Sequence, residues 1–252
     1  MGQNHAISFF STEELTLNFW NGKEQDALIL NGNMKLTFEG GKKCIGFKSR
    51  NNRYQCPYHY EGRIQCPFCG SRDISRIYTR HNFKGYEDLE EEFSQKEFSI
   101  YLVSFADKIK CGVTQAGRIK DRVHEQGADF YAEIMRLKGP EAYEMERLLQ
   151  SHFGFKNSVQ SRTKLKLLGN EHPELLEQAI VKIESSAPFN EYLLDTQMPQ
   201  KLSYNIPDKW TVAENIDGAI TGAKGPLLFF ENSNGSHVIN MKANEGKFFE
   251  LQ

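Results

Sequence analysis

Short apolar runs separated by polar Asn/Gly steps give residues 5–39 the character of β-structure. Within them, "ALILNGNMKLTF" reads as two strand-like runs around Asn31-Gly32-Asn33, which predicts a hairpin. The C-terminal stretch 205–252 has the same style. There "PLLFFENSNGSHVINMKANEGKFFEL" holds three strand-like runs split by Asn/Gly turns. Strands at both ends predict a β-barrel or sandwich-like region closed by the two termini, from residues 1–40 and 205–252. The middle of the chain is then an insertion or a second domain.

In that middle, residues 101–128 read "YLVSFADKIKCGVTQAGRIKDRVHEQGA". Two strand-like runs are joined by a turn, the second run carries Cys-Gly, and a basic helix follows. "DFYAEIMRL" supplies a third strand. Gly139-Pro140 opens a helix, "PEAYEMERLLQSHF", with proline at a tolerated first position. A further helix starts at Pro173, and its Leu176, Ala179, Ile180 and Ile183 fall at helical spacing. The acidic run "EDLEEE" at 87–92 reads as a solvated face or linker. The expected class is α+β: a small antiparallel sheet with flanking helices over residues 97–168, then a helical connector over 169–204.

Composition narrows the function classes. The chain has 252 residues, 39% of them hydrophobic, and a net charge of −2, so no bulk charge draws the whole protein to nucleic acid. No apolar run approaches the roughly 20 residues that span a bilayer, so no membrane partner is expected. The start "MGQNHA" places Ala6 where a myristoylation signal wants Ser or Thr, and the N-terminus lacks the basic region of a secretory signal. With five cysteines and no such signal, reduced thiols in the cytoplasm are the expectation.

Four of the five cysteines lie in residues 44–69, "CIGFKSRNNRYQCPYHYEGRIQCPFC". Cys66-Pro67-Phe68-Cys69, followed by Gly70, is a knuckle that brings two thiolates to one ion. Zinc wants four soft ligands at tetrahedral angles, and its affinity can fold a segment too small for its own core. Cys44 completes the set with Cys56 or with His59, three residues further on. A redox C-x-x-C belongs in a βαβ setting, which is not visible here. The expectation is a structural zinc segment over residues 41–86.

That segment is also the basic part of the chain. Between Gly41 and Tyr86 ten Lys or Arg face only Glu61 and Asp73, a local net of +8. Phe47, Tyr54, Tyr58, Tyr60 and Phe68 are interleaved with them. Basic groups bind phosphates and aromatic rings stack on bases, so Lys48, Arg50, Arg53 and Arg63 become candidates for nucleic-acid contact. The alternative is that the charges solvate the knuckle and the rings form its small core.

The segment "SIYLVSFADKIKCGVT" resembles the start of the GIY-YIG nuclease superfamily, with Ser99-Ile100-Tyr101 at the first motif and Lys110-Cys111-Gly112 at the second. "GRIKDRV" resembles its first-helix pattern, which puts the superfamily arginine on Arg122 and leaves Arg118 as a nucleic-acid contact. "EMERLLQSHF" resembles its metal-binding helix, with Glu146 in the glutamate position. More narrowly, "KCGVT…RVHEQGA" and "GAITGAKGPLLFFENSNGSHVIN" resemble an uncharacterised family that sets a cysteine cluster before a GIY-YIG-like core and a C-terminal β-region. That likeness spans most of the chain from Cys44 onward.

The resemblance implies metal-dependent phosphodiester hydrolysis. Glu146 would hold a magnesium or manganese ion, Arg122 would grip the scissile phosphate, and Tyr101 would orient or deprotonate the attacking water. Asn157 would give support. Lys110 departs from the superfamily tyrosine and takes over that role only if its pKa falls. Independently of the resemblance, Ala142, Glu146, Leu149 and Phe153 share one helical stripe. A carboxylate on an apolar stripe must be paired, metal-bound or at its edge. Cys111 reads as a small buried apolar residue.

The leading expectation is therefore a protein that binds DNA or RNA and carries a GIY-YIG-like phosphodiesterase site. Two alternatives stand beside it: a catalytically silent zinc-containing nucleic-acid-binding module, and a scaffold for protein partners.

Overall fold

The structure is a computed structural model that describes residues 4–12, 14–50, 52–80, 83–195 and 198–252. His81, expected at the surface near the cysteines, lies outside the described residues. In chain order come β1 (Asn4–Ser11), β2 (Leu15–Asn21), β3 (Glu24–Ile29), β4 (Asn33–Glu39), β5 (Phe47–Ser49) and β6 (Asn52–Tyr54). Helices α1 (Pro67–Arg72), α2 (Ile74–Arg80) and α3 (Glu87–Gln95) follow, then β7 (Glu97–Phe105), β8 (Lys108–Gln115), α4 (Ile119–Gln126), β9 (Phe130–Lys138) and α5 (Gly139–Phe153). The rest comprises α6 (Ser161–Lys166), α7 (Pro173–Glu184), a 3-10 turn (Phe189–Tyr192), β10 (Gln200–Lys201), β11 (Thr211–Val212), β12 (Ile216–Lys224), β13 (Leu227–Asn232), β14 (Gly235–Asn240), α8 (Met241–Asn244) and β15 (Phe248–Leu251). Among the described residues, no helix is long and apolar enough to cross a membrane.

The chain divides into two units, Met1–Phe83 with Tyr204–Gln252, and Lys84–Ser203. In the first, the N- and C-terminal regions build one nine-stranded sheet of order β11-β14-β13-β12-β4-β15-β1-β2-β3. The C-terminal strand β15 lies between β1 and β4, with Phe249 opposite Phe38. Leu17, Leu36, Phe38, Ile216, Phe230, Ile239 and Phe249 share its core.

Two expectations need correction here. The sheet runs from β11 to β3 and no closed barrel forms. Its edge strand β3 is almost wholly exposed and carries Glu24 and Asp26, charges that discourage further pairing. Nor do β3 and β4 form a hairpin around Gly32. β3 pairs with β2 across Gly22-Lys23, while β4 pairs with β12 and β15. The reason is burial: Leu36 and Phe38 fill the core between distant strands, and the Phe38 amide donates to Asn215 Oδ1 at 2.8 Å.

The second unit holds a four-stranded antiparallel sheet of order β10-β9-β7-β8. Its spine is β7, buried from Phe98 to Phe105. The expected strands and both long helices form, and Leu176, Ala179, Ile180 and Ile183 are the buried face of α7. The run "EDLEEE" is a solvated face, the first of its two readings, and not a linker. It belongs to α3, whose Leu89 and Phe93, four apart, are buried while its acids face water. Phe93 packs edge-on against Phe98 and Tyr143.

Candidate functional site

The two candidate sites lie in different units and are described separately. In the first unit, the sulfurs of Cys44, Cys56, Cys66 and Cys69 lie within 4.8 Å of one another, and all four residues are buried. A tetrahedral zinc–thiolate centre with bonds of about 2.3 Å has sulfur–sulfur edges of about 3.8 Å. The Cys56–Cys66 separation is 3.8 Å.

Local sequence builds this geometry. Cys66 caps α1, with Pro67 at the first helical position, and its sulfur accepts the Cys69 amide at 3.4 Å. The Cys66 amide donates in turn to the Cys44 sulfur at 3.3 Å. Burial pushes the Cys69 and Cys44 thiols up, whereas the amides of Tyr60 and Tyr58 outweigh burial at Cys56 and bring its thiol down. A buried sulfur cluster of this kind ionises fully only around a cation. The four cysteines could hold a metal ion such as zinc. His59 is exposed, at φ +45° in the turn after Cys56, and is not part of the cluster, which leaves Cys56 as the fourth sulfur.

The basic residues around it divide into two groups. Lys48, Arg50 and Arg63 are exposed, as are the rings of Tyr54, Tyr58 and Tyr60. Phe47 and Phe68 pack against the sulfurs, so the rings are partly core and partly surface. Arg53 is half-buried: burial lowers its pKa, the charges of Asp73 and Glu245 oppose that shift, and its Nη1 is buried without a hydrogen-bond partner.

In the second unit, Tyr101, Lys110, Arg122 and Glu146 converge from β7, β8, α4 and α5. The register of β7 against β9 shifts between Ile100 and Tyr101, the irregularity by which a strand re-aims a side chain. Tyr101 faces Gly112 across the β7–β8 pair. A Cβ on Gly112 would come within 2.6 Å of the Tyr101 hydroxyl and 2.8 Å of Lys110 Nζ, so the missing side chain is what lets the two polar groups meet. Gln126 Nε2 donates to the Tyr101 hydroxyl at 2.6 Å. Gln150 Nε2 donates to Glu146 Oε1 at 3.1 Å and to the Cys111 carbonyl at 3.3 Å.

The charges perturb one another. Burial, and then the Arg122 charge, bring Lys110 down from 10.5 to about 8, with Glu146 opposing them. Burial raises the Glu146 carboxyl, against the pull of Lys110, Arg147 and Gln150. Burial also raises the Tyr101 phenol, which Arg122 and Gln126 partly offset. Arg122 keeps 48% of its side chain exposed and pairs with Glu125 at 3.1 Å. Its neighbour Arg118 is exposed and reaches the same carboxylate at 3.8 Å. Cys111 is fully buried, which raises its thiol. Ser99 donates to Glu133 Oε1 at 2.6 Å. Asn157 is exposed and makes no side-chain hydrogen bond.

Sequence reasoning missed Gln126 and Gln150, the two residues that fix the phenol and the carboxylate. A signal was available: each lies one helical turn, four residues, after a named site residue, Arg122 and Glu146.

A family model described as "Protein of unknown function (DUF2797)" matches residues 32–248. No curated protein and no solved structure matches the chain.

Proposed function

The chain belongs to the DUF2797 family, and we propose that it binds nucleic acid, cleaves phosphodiester bonds at a GIY-YIG-like site and carries structural zinc in its cysteine cluster. The observation that carries this reading is the electrostatic convergence of Tyr101, Lys110, Arg122 and Glu146, with Gly112 leaving the room that Tyr101 and Lys110 fill.

Each group suits one task. The half-exposed Arg122 offers a two-pronged donor to a phosphate arriving from solvent. Lys110, brought down to about 8, is neutral in part of the population near neutral pH and can accept a proton from the attacking water. The water oxygen then bonds to phosphorus as the 3′ oxygen leaves. The Tyr101 phenol, raised above 10, stays protonated and orients the water. Of the two roles the sequence allows it, the orienting one is favoured.

Glu146 is a half-buried carboxylate whose Oε1 takes a hydrogen bond from Gln150. It fits a magnesium or manganese ion bound by one protein carboxylate, with water and phosphate completing the shell. Such an ion supplies charge neutralisation at the leaving oxygen. Binding to the strand draws on exposed Lys48, Arg50 and Arg63 beside the exposed tyrosines.

The test is cleavage of single-stranded, duplex and branched DNA and of structured RNA with magnesium or manganese. Wild type should cut at least one, and Glu146→Gln should not, while its fold survives. No cutting by wild type with either metal would end the enzyme reading. A silent binding module is the second reading, favoured by the Glu125 carboxylate that already occupies Arg122. It predicts salt-dependent binding without cleavage.

A further inference from the structure

In the second unit, β8 is the edge strand of the sheet, and a groove of about 320 Å3 lies between it, the residues after α5, and α7. Local sequence shapes the groove. Gly154, at φ +71°, ends α5 in the left-handed conformation, and Phe153 and Phe155 flank that turn. Their rings stack with centroids 5.4 Å apart, and Phe153 also packs on Phe189 at 5.4 Å, which fixes this wall. Leu175 and Ala179 add apolar surface from α7.

The charged lining is cationic. Lys108, Lys156 and Lys182 line the groove, and the one acid among the described lining residues, Asp107, is already paired with Lys108 at 2.6 Å. Lys156 and Lys182 are exposed, and among the described residues neither ammonium has a hydrogen bond or ion pair. Free lysines beside apolar and aromatic side chains complement a nucleotide, whose phosphate takes the cations and whose base takes the apolar wall.

The groove adjoins the site on β8. The Lys156 amide donates to the Ile109 carbonyl at 3.0 Å, and the Lys156 carbonyl accepts the Cys111 amide at 3.2 Å, so Lys156 is bridged to β8 at Lys110. Lys108 precedes Lys110 on one face of β8 by about 7 Å. Phe153 follows Glu146 on one stripe of α5 by about 10 Å. At a rise of about 3.4 Å per nucleotide, a strand held at Lys110 and Glu146 reaches the groove within about three nucleotides.

Resting on the cleavage reading above, we propose that this groove holds unpaired nucleotides next to the scissile bond, so that the site takes strands with a single-stranded segment there. In a duplex the base faces are stacked on one another, and only phosphates and base edges are on offer. An apolar wall meets a base face only when that base is unstacked. The volume stands at the low end of the roughly 300–1,000 Å3 that small-molecule pockets span, which suits a single base.

Fluorescence anisotropy on the zinc-loaded full chain, without magnesium or manganese, tests this. The probes are blunt duplexes and the same duplexes with an unpaired tail at the 3′ or 5′ end, in DNA and in RNA. At least one tailed duplex should bind ten-fold tighter than its blunt counterpart, and an abasic tail should lose most of that gain. Lys156→Gln with Lys182→Gln should bring the preference to within two-fold. It should also flatten the salt dependence on the tailed probe by about 1.4 units, as for two phosphate contacts on a single strand. Both side chains are exposed, and zinc content and melting temperature check the fold. Equal binding of blunt and tailed probes overturns the proposal. So does a tail preference that persists in the double variant, an abasic tail as good as a natural one, or no binding by any probe. Equally effective displacement of the tail by polyglutamate also overturns it, and would assign the groove to an acidic protein segment. Binding is read without a divalent ion, so a wild type that never cuts ends the cleavage reading and leaves the tail preference measurable. Cleavage by a wild type that binds blunt and tailed probes equally ends this proposal alone.

Discussion

The Lys110 ammonium lies 5.4 Å from the centroid of the Tyr101 ring, and Gly112 stands beside both without a side chain to separate them. Lys110 and Gly112 are two residues apart on β8 and so share one face of the sheet, while Tyr101 is the cross-strand partner of Gly112. One glycine therefore sets how closely a phenol and an amine approach.

Gly112→Ala tests that statement. The added methyl would meet the Tyr101 hydroxyl at 2.6 Å, its Cζ at 2.7 Å and Lys110 Nζ at 2.8 Å. Overpacking of this kind costs about 1–3 kcal/mol. Urea denaturation should show a lower midpoint at unchanged slope. Unaltered stability would mean that Lys110 swings away freely.

The lowered Lys110 pKa predicts how stability changes with pH. Between about 8 and 10.5 the unfolded chain holds a proton that the native chain has released, so native stability rises with pH across that window. Below 8 both states are protonated and the contribution is flat. The full shift corresponds to ~3 kcal/mol as a ceiling, reduced because the side chain is only half-buried. Wild type should therefore gain stability relative to Lys110→Met between pH 7.5 and pH 10, read from paired urea curves. A constant gap between the two proteins would mean that Lys110 titrates as an ordinary lysine.

The cysteine cluster should carry one zinc ion per chain after purification without added metal. Cobalt exchange should give the absorption of tetrahedral thiolate ligation. Cys66→Ser or Cys69→Ser should lose the metal and lower the melting temperature, because metal-binding energy is folding energy in so small a segment. His59→Ala should keep the ion, since His59 is exposed and outside the four sulfurs. Zinc loss in His59→Ala would transfer the fourth ligand from Cys56 to the histidine.

Much of this site was readable before the structure. The grouping of Tyr101, Lys110, Arg122 and Glu146 was what the resemblance to the GIY-YIG superfamily implied, and only Glu146 stood out on its own, as a carboxylate on an apolar helical stripe. The α7 face was legible because its burial repeats at the helical period. The β3–β4 hairpin was misread because the partners of β4 come from the far end of the chain, and a local turn signal does not register a core completed by Ile216 and Phe249. The acidic run concealed α3 because two buried residues are outvoted by the acids on its solvated face.

The structure also changes which arginines to test for nucleic-acid binding. Arg53 is half-buried near Asp73 and Glu245, so Arg53→Gln should lower stability more than binding. Replacing Lys48, Arg50 and Arg63 together by Gln should weaken binding alike across sequences. If each contacts a phosphate, the dependence of log K on log salt should flatten by about three units. An unchanged slope would assign these side chains to solvation of the knuckle.

The sharpest prediction concerns Lys110 as the base. If it takes the proton from water, the rate should climb with pH and level off near 8, where the neutral amine becomes dominant. Lys110→Arg keeps the positive charge and the reach to phosphate but never deprotonates in this range. It should bind substrate as well as wild type, cut poorly, and lose the limb near 8. Tyr101→Phe should lower the rate and leave that limb in place, because the phenol, raised above 10, remains protonated throughout. Arg122→Lys should lower the rate without moving the limb much, since a point charge does not reproduce the guanidinium fork on a phosphate. Glu144→Gln, at an exposed carboxylate on the same helix, is the control and should change little. A limb that survives Lys110→Arg would take the base role away from Lys110 and leave it as a charge that holds the phosphate.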